Sequence, residues 1–398
     1  MSRERGNFVA DFVHHAGVSE VPKRFVRWTA LSVRASALAD RVWMHKGAAK
    51  VKPNLYVFLL GPSGCGKGEA IDFGLRLLKD VPQVYMEYGR TTAAALVDRL
   101  AVKTGTPTAL SKLYLVTPEL AMAVGRGTVS DDLIKLTTEM YKGSPVPLTE
   151  RTRTAGRHML KDYCLNWIAG TTREWMRDCV SREAVEGGFF ARVACIQAQY
   201  AGHRVINPQL PIDYDETAER MREHLRYVMG IEWPMRFDHR AQEIHDTWYL
   251  TRPEPHDESL LPSWRREDDF VRKVAMLLAM AEPDPHPTIN AMHVTEAQQM
   301  VADANRGLPA VIDYIGAGVN PDSDTMRRVR QVIKEAGVIQ QATLTMRMAQ
   351  VGVTSDKLRL CVDTLIEGGA VRRVRGARGF IYTWSTRPNL RLVMDEEG

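Results

Sequence analysis

No run of apolar residues in this chain approaches the ~18 that carry a helix across a bilayer. The opening residues, MSRERGNFVADFVHHAG, hold charges where a secretory leader would hold an unbroken apolar stretch, so no signal peptide is expected. Cysteine is sparse. Cys65, Cys164, Cys179, Cys195 and Cys361 are odd in number, scattered and without a CxxC pair. That pattern argues against a disulfide framework and a thiolate zinc site, and for reduced thiols in a cytoplasmic protein. The eleven histidines show no HExxH spacing, and the adjacent His14 and His15 diverge on a helix. A metal other than Mg²⁺ is therefore not expected. Internal repeats and low-complexity tracts are lacking as well. What remains is ordinary globular composition, 44% hydrophobic and 25% charged over 398 residues, enough for two or three domains.

Positive charge is present but concentrated. The chain carries a net +5, whereas between Pro321 and Leu390 twelve lysines and arginines face six acidic residues. A basic C-terminal module on a nearly neutral body points to a polyanion partner for that module.

The stretch that says most is LYVFLLGPSGCGKGEAI, residues 55 to 71. Tyr56 to Leu60 read as a buried parallel strand, and Ile71, Leu75 and Leu78 recur at helical spacing. Between them lies Gly61-Pro62-Ser63-Gly64-Cys65-Gly66-Lys67, the strand–GxxxxGK–helix pattern of a phosphate-binding loop. Glycines let backbone N–H groups converge on phosphate oxygens, the helix N-terminus adds partial positive charge, and Lys67 supplies a cation. The cofactor expected is ATP with Mg²⁺, held by residues 61 to 69. Gly68 and then Glu69 stand where a Mg²⁺-holding hydroxyl usually follows the lysine.

The fold expected is α/β: a P-loop NTPase core of parallel sheet with flanking helices, a helical lead-in, a helical lid and a C-terminal winged helix-turn-helix. The lead-in covers 1–50, where Phe25, Trp28, Leu31, Ala35, Leu38 and Val42 keep a 3.6-residue repeat. The core covers 51–205, with further strands at LYLVTP (113–118) and CLNWIAGTT (164–172). Lid and linker cover 206–320: an amphipathic helix begins near Trp264, and GLPAVIDYIGAGVNPDSD reads as the linker. From 321 to 390 the order is three helices and a hairpin, the winged plan. Lys357 and Arg359 on its third helix, with Arg372, Arg373, Arg375 and Arg378 on the wing, are the expected nucleic-acid contacts; a protein-binding role for the module is the alternative.

Chemistry needs a carboxylate opposite the loop. LYLVTPE supplies Glu119, expected as the base on the view that a strand glutamate buried without a role would be costly. Pro118 stands where an Asp commonly precedes it. The strand ending in Thr171 and Thr172 should lie beside the Glu119 strand, placing Thr172 to sense the γ-phosphate or simply to cap a strand end. In EGGFFARVACI, Arg192 follows a glycine pair, either as a finger reaching a neighbouring subunit's γ-phosphate or as the partner of a local acid.

Taken in this order, the residues resemble a family of phage- and prophage-encoded P-loop ATPases described as DNA helicases or primase-associated ATPases. The resemblance covers about residues 8 to 310, through PKRFVRWTALSVRASALADRVWM, PNLYVFLLGPSGCGKG, PEL, ERTRT, AGTTREW, GGFFARV and RKVAMLLAM. The order also looks like AAA-plus replicative motors of the minichromosome-maintenance type. That likeness implies an arginine finger at Arg192 and a nucleotide-sensing arginine at Arg265 in a lid helix that also carries Arg266 and Arg272. It further implies a ring, read as a hexamer, acting on single-stranded or forked DNA beside other replication proteins, in the cytoplasm of a bacterial host, with no membrane partner. Gly68 and Pro118 depart from the family pattern and put efficient hydrolysis in question. Three outputs follow: a helicase, a helicase loader or remodeller using ATP as a switch, and a DNA-binding scaffold with a degenerate site.

Overall fold

A computed structural model describes residues 6–17, 19–101, 112–121, 128–143, 148–152, 156–181, 184–185, 187–200, 204–255, 257–319, 321–376 and 379–385. The chain divides into two compact units, Met1–Ile312 and Asp313–Gly398.

The first unit opens with α1 (Phe8–His15), capped by Asn7, whose side chain accepts from the amides of Val9 and Ala10. Helix α2 (Lys23–Leu38) starts after Pro22 and buries Phe25, Trp28 and Leu31. It does not continue to residue 50. Ala39 takes φ 50, and the chain turns into β1 (Val42–Lys46) and β2 (Ala49–Val51), an antiparallel hairpin about Gly47 at φ 59. The helical repeat that includes Val42 is coincidental: Val42 and Met44 are buried on a strand of period two.

Next come β3 (Tyr56–Leu60), α3 (Lys67–Leu78), β4 (Met86–Tyr88), α4 (Ala93–Leu100), β5 (Lys112–Thr117), α5 (Thr128–Met140), the hairpin β6 (Leu148–Thr152) and β7 (Gly156–Leu160), β8 (Cys164–Thr171), α6 (Arg173–Cys179) and β9 (Val193–Gln197). Strands β4-β5-β8-β3-β9, in that order, form one parallel sheet flanked by helices. The strand expected beside the Glu119 strand is there: β8 pairs with β5 on one side and β3 on the other. Every residue of β3 and β8 is buried, as a sheet covered on both faces requires. Trp167 on β8 anchors the core. Its ring packs edge-on against Phe58 at 4.9 Å, and its indole N–H donates to Thr117 Oγ1 at 2.9 Å, so the one polar atom is satisfied.

The unit closes with α7 (Tyr214–Met229), β10 (Trp233–Phe237), α8 (His239–Thr251), α9 (Leu261–Ala279), β11 (Thr288–Ile289) and α10 (Ala291–Asn305). Strands β11-β10-β1-β2 make a second, mixed sheet. The segment expected as a linker contains the boundary between the two units, and it is helical: α11 (Leu308–Val319) spans the boundary, with Val311, Ile312 and Ile315 buried despite two glycines.

The second unit contains α12 (Pro321–Ala336), β12 (Val338–Gln340), α13 (Gln341–Ala349), α14 (Ser355–Glu367), β13 (Val371–Gly376) and β14 (Gly379–Trp384). The three expected helices and hairpin are present. Strand β12 adds a third strand, in the antiparallel order β12-β14-β13. Its core is Val329, Ile333, Leu344, Leu358, Val362 and Leu365 with Tyr382.

All five cysteines are buried and unbridged. No helix among the described residues is long and apolar enough to cross a membrane.

Candidate functional site

The loop after β3 is shaped by its glycines. Gly64 and Gly66 take φ +78 and +84, left-handed values at which any other residue is strained. A Cβ on Gly61 would meet Ala198 O and Cys65 Sγ at 2.6 Å, and one on Gly66 would press on Val21. Gly66 caps α3, and Lys67 is that helix's first residue, so the free amides of a twelve-residue helix open onto the loop. The Lys67 ammonium donates to Gly61 O at 2.8 Å and Pro62 O at 2.7 Å, curled over the loop it would serve.

Because β8 lies between β3 and β5, the chain ends of these strands converge. Gly170 makes the convergence possible: a Cβ there would sit 2.3 Å from Pro118 O. Ser63, Lys67, Gly68, Glu69, Glu119 and Thr172 thereby line one cleft of about 480 Å³. Glu119 is exposed, the second residue past the end of β5, so the premise that it is buried in the strand does not hold. Its candidacy rests on facing the same cleft as Lys67. Thr172 shares the cleft, but its Oγ1 also accepts from Trp175 N at 3.3 Å as the cap of α6, the structural role weighed in the sequence.

A second cavity of about 870 Å³ adjoins the loop on its other side and shares Ser63 and Thr172 with the cleft. Val21, Pro22, Arg24, Arg173 and Tyr200 line it, none of them singled out by sequence. Arg24 donates to Gln197 O at 2.7 Å and pairs with Asp303 at 2.8 Å; the Tyr200 hydroxyl donates to Ser63 O at 2.9 Å. In the sequence only Pro22, a residue that suits a helix start, marked this neighbourhood. Together the two spaces are large enough for a nucleoside joined to a phosphate chain.

The cleft's oxygen donors, Ser63, Glu69 and Glu119, suit Mg²⁺ shared with phosphates. Among the described residues no group of three or more His, Cys, Asp or Glu could hold a metal ion by itself. A Cβ at Gly68 meets nothing within 4 Å, so Gly68→Ser has room for an added oxygen ligand. We expect that variant to keep or raise ATP turnover; a folded but inactive protein in a phosphate-release assay would contradict this account of the cleft.

Two expected site residues lie elsewhere within the chain. Arg192 immediately precedes β9, whose first residue Val193 pairs with Tyr56 at the start of β3. It is thus a strand's length, roughly 13 Å, from the loop edge of the sheet. Its guanidinium donates to Gly188 O at 2.7 Å, stapling the glycine turn, and burial first, then the like charge of Arg266, pull its pKa below the usual range. Among the described residues no acid pairs with it; the carbonyls of Gly187 and Gly188 take the guanidinium instead. Arg265 is exposed and lines neither of the two spaces beside the loop. Its helix α9 is moored at the opposite edge: buried Lys273 donates to Asn54 O at 2.9 Å and Asn54 Oδ1 at 2.7 Å, just before β3. Within one copy, then, α9 does not bring Arg265 to the lining of the cleft around Lys67.

In the second unit, Lys357, Arg359, Arg372, Arg373 and Arg375 are exposed. Arg373 pairs with Asp363 at 3.2 Å and stacks on Phe380, and Arg359 approaches the same carboxylate at 4.0 Å. Those two are partly neutralised. Arg372 and Arg375 stand on the outer hairpin; Arg378 lies outside the described residues. No protein-family model matches this chain, and no curated protein matches it either.

Proposed function

We propose that the chain is a ring-forming, ATP-dependent DNA motor, with helicase activity as its leading output. One observation carries the nucleotide part: Lys67, at the start of α3 behind a loop that only glycine can shape, faces the same cleft as the carboxylate Glu119. Loop amides and Lys67 would hold the β- and γ-phosphates, and Glu119 would polarise the attacking water. Mg²⁺, when bound, would neutralise charge between the phosphates. Because Arg192 stands at the far edge of its own sheet, its action on a γ-phosphate would have to come from a neighbouring copy. The DNA part rests on the C-terminal excess of cations and on the helix order of a winged module.

The loader reading keeps a place because of Gly68 and Pro118, which remove two customary oxygen ligands and favour a slow switch over a fast motor. Unwinding of a forked duplex with ATP separates them: strand separation by the chain alone supports the helicase, and ATP turnover without it supports the loader.

The exposed hairpin arginines give a further expectation. Arg372→Ala with Arg375→Ala should weaken DNA binding alike across sequences and lower the slope of log affinity against log salt by about 0.9 per lost phosphate contact on duplex. An unchanged slope would assign the module to a protein partner and put the loader ahead.

A further inference from the structure

We propose that the outer face of the β11-β10-β1-β2 sheet binds single-stranded nucleic acid, with Trp43 stacking on a base and Lys50 and Arg236 contacting phosphates. The sheet is two-faced. Val42, Met44, Val51, Met235, Phe237 and Ile289 point inward and are buried. The alternate residues His45, Lys50, Pro234 and Arg236 are exposed, with Trp43 half-buried among them. Register places Trp43 opposite Pro234, and His45 opposite Lys50, so these groups share one surface.

Charge complementarity selects the occupant. From Arg41 to Lys52 the sequence RVWMHKGAAKVK contains four lysines and arginines and no acidic residue. Lys46 is engaged by Asp268 and Asp269, each at 2.7 Å, and Lys52 by Asp40 at 3.4 Å. Among the described residues no carboxylate pairs with Lys50 or Arg236. The nearest acid in sequence is Asp238, two residues on from Arg236, and its carboxylate caps α8 by accepting from Ala241 N at 2.7 Å; exposed Glu232 lies beyond the other end of β10.

The aromatic group selects unpaired strands. The Lys50 ammonium lies 4.2 Å from the centre of the Trp43 ring, and the indole N–H donates to His45 Nε2 at 3.4 Å, which fixes the ring on the sheet. A base stacking there would displace an ammonium on a flexible stem and free it for the adjoining phosphate. Duplex bases keep their faces within their own stack, so only a single strand can make this exchange. The site involves neither the glycine loop nor the C-terminal module, so the proposal stands apart from the ATPase reading.

The test uses the full chain carrying Arg372→Ala and Arg375→Ala, without nucleotide, and reads anisotropy of labelled oligo(dT) and oligo(U) of about 15 nucleotides. Trp43→Ala is expected to weaken both by about tenfold, while Trp43→Phe, which keeps a ring, retains most of the affinity. Lys50→Gln with Arg236→Gln, both exposed, should lower the salt slope by about 1.4, or about 0.7 per contact. Unchanged affinity in Trp43→Ala, an unchanged slope in the double variant, or an equal loss on duplex of the same length would overturn the proposal.

Discussion

Lys67→Ala is expected to lose most ATP affinity, roughly 10- to 150-fold, because a charge-assisted phosphate contact contributes about 1.5–3 kcal/mol. The geometry supports a loss near the upper end. Lys67 begins α3, so its charge adds to the helix's free amides, and the cleft is partly closed by Pro118 and Thr172. The same ammonium bonds to Gly61 O and Pro62 O, so the melting temperature must be followed in parallel. A fluorescent-nucleotide titration with unchanged affinity would refute the loop as the nucleotide site.

The second large effect concerns turnover. Glu119→Gln should retain ATP binding and lower hydrolysis by about 100-fold or more, since an amide cannot accept the water's proton. The side chain is exposed, so folding should be untouched. Arg192→Ala should bind ATP and fold, at the cost of the contact to Gly188 O, yet lose about 1,000-fold in turnover if the arginine acts on a neighbour's phosphate. Mixing the two inactive proteins should restore activity. Some interfaces then pair Glu119 of the Arg192→Ala chain with Arg192 of the other. Co-assembly without recovery would leave Arg192 as a staple of its glycine turn.

The cleft beside the glycine loop was legible because its signals are local. A run of five apolar residues, left-handed glycines and a lysine at the helix start are fixed by a few neighbouring positions, and the pairing of β8 with β5 followed from their apolar runs. What was misread depends on distant contacts. The lead-in repeat carried Val42 onto a helix because no glycine or proline marks Ala39, whose positive φ ends it. Helical periodicity identified α9 but not its edge of the sheet; Lys273 on Asn54 decides that across 219 residues of sequence. In α11 the segment read as a linker does hold the boundary between the two units, but the burial of Val311, Ile312 and Ile315 makes it a helix. Tyr200 and Arg24 escaped notice because they reach the cavity from segments far apart in the sequence.

ATP turnover per chain, measured against protein concentration, tests the central claim most directly. If hydrolysis joins Lys67 and Glu119 of one copy to Arg192 of the next, specific activity should be low in dilute protein, rise steeply with assembly and then level off. A specific activity that is constant across concentration, or absent at every concentration, would contradict a composite ATPase site.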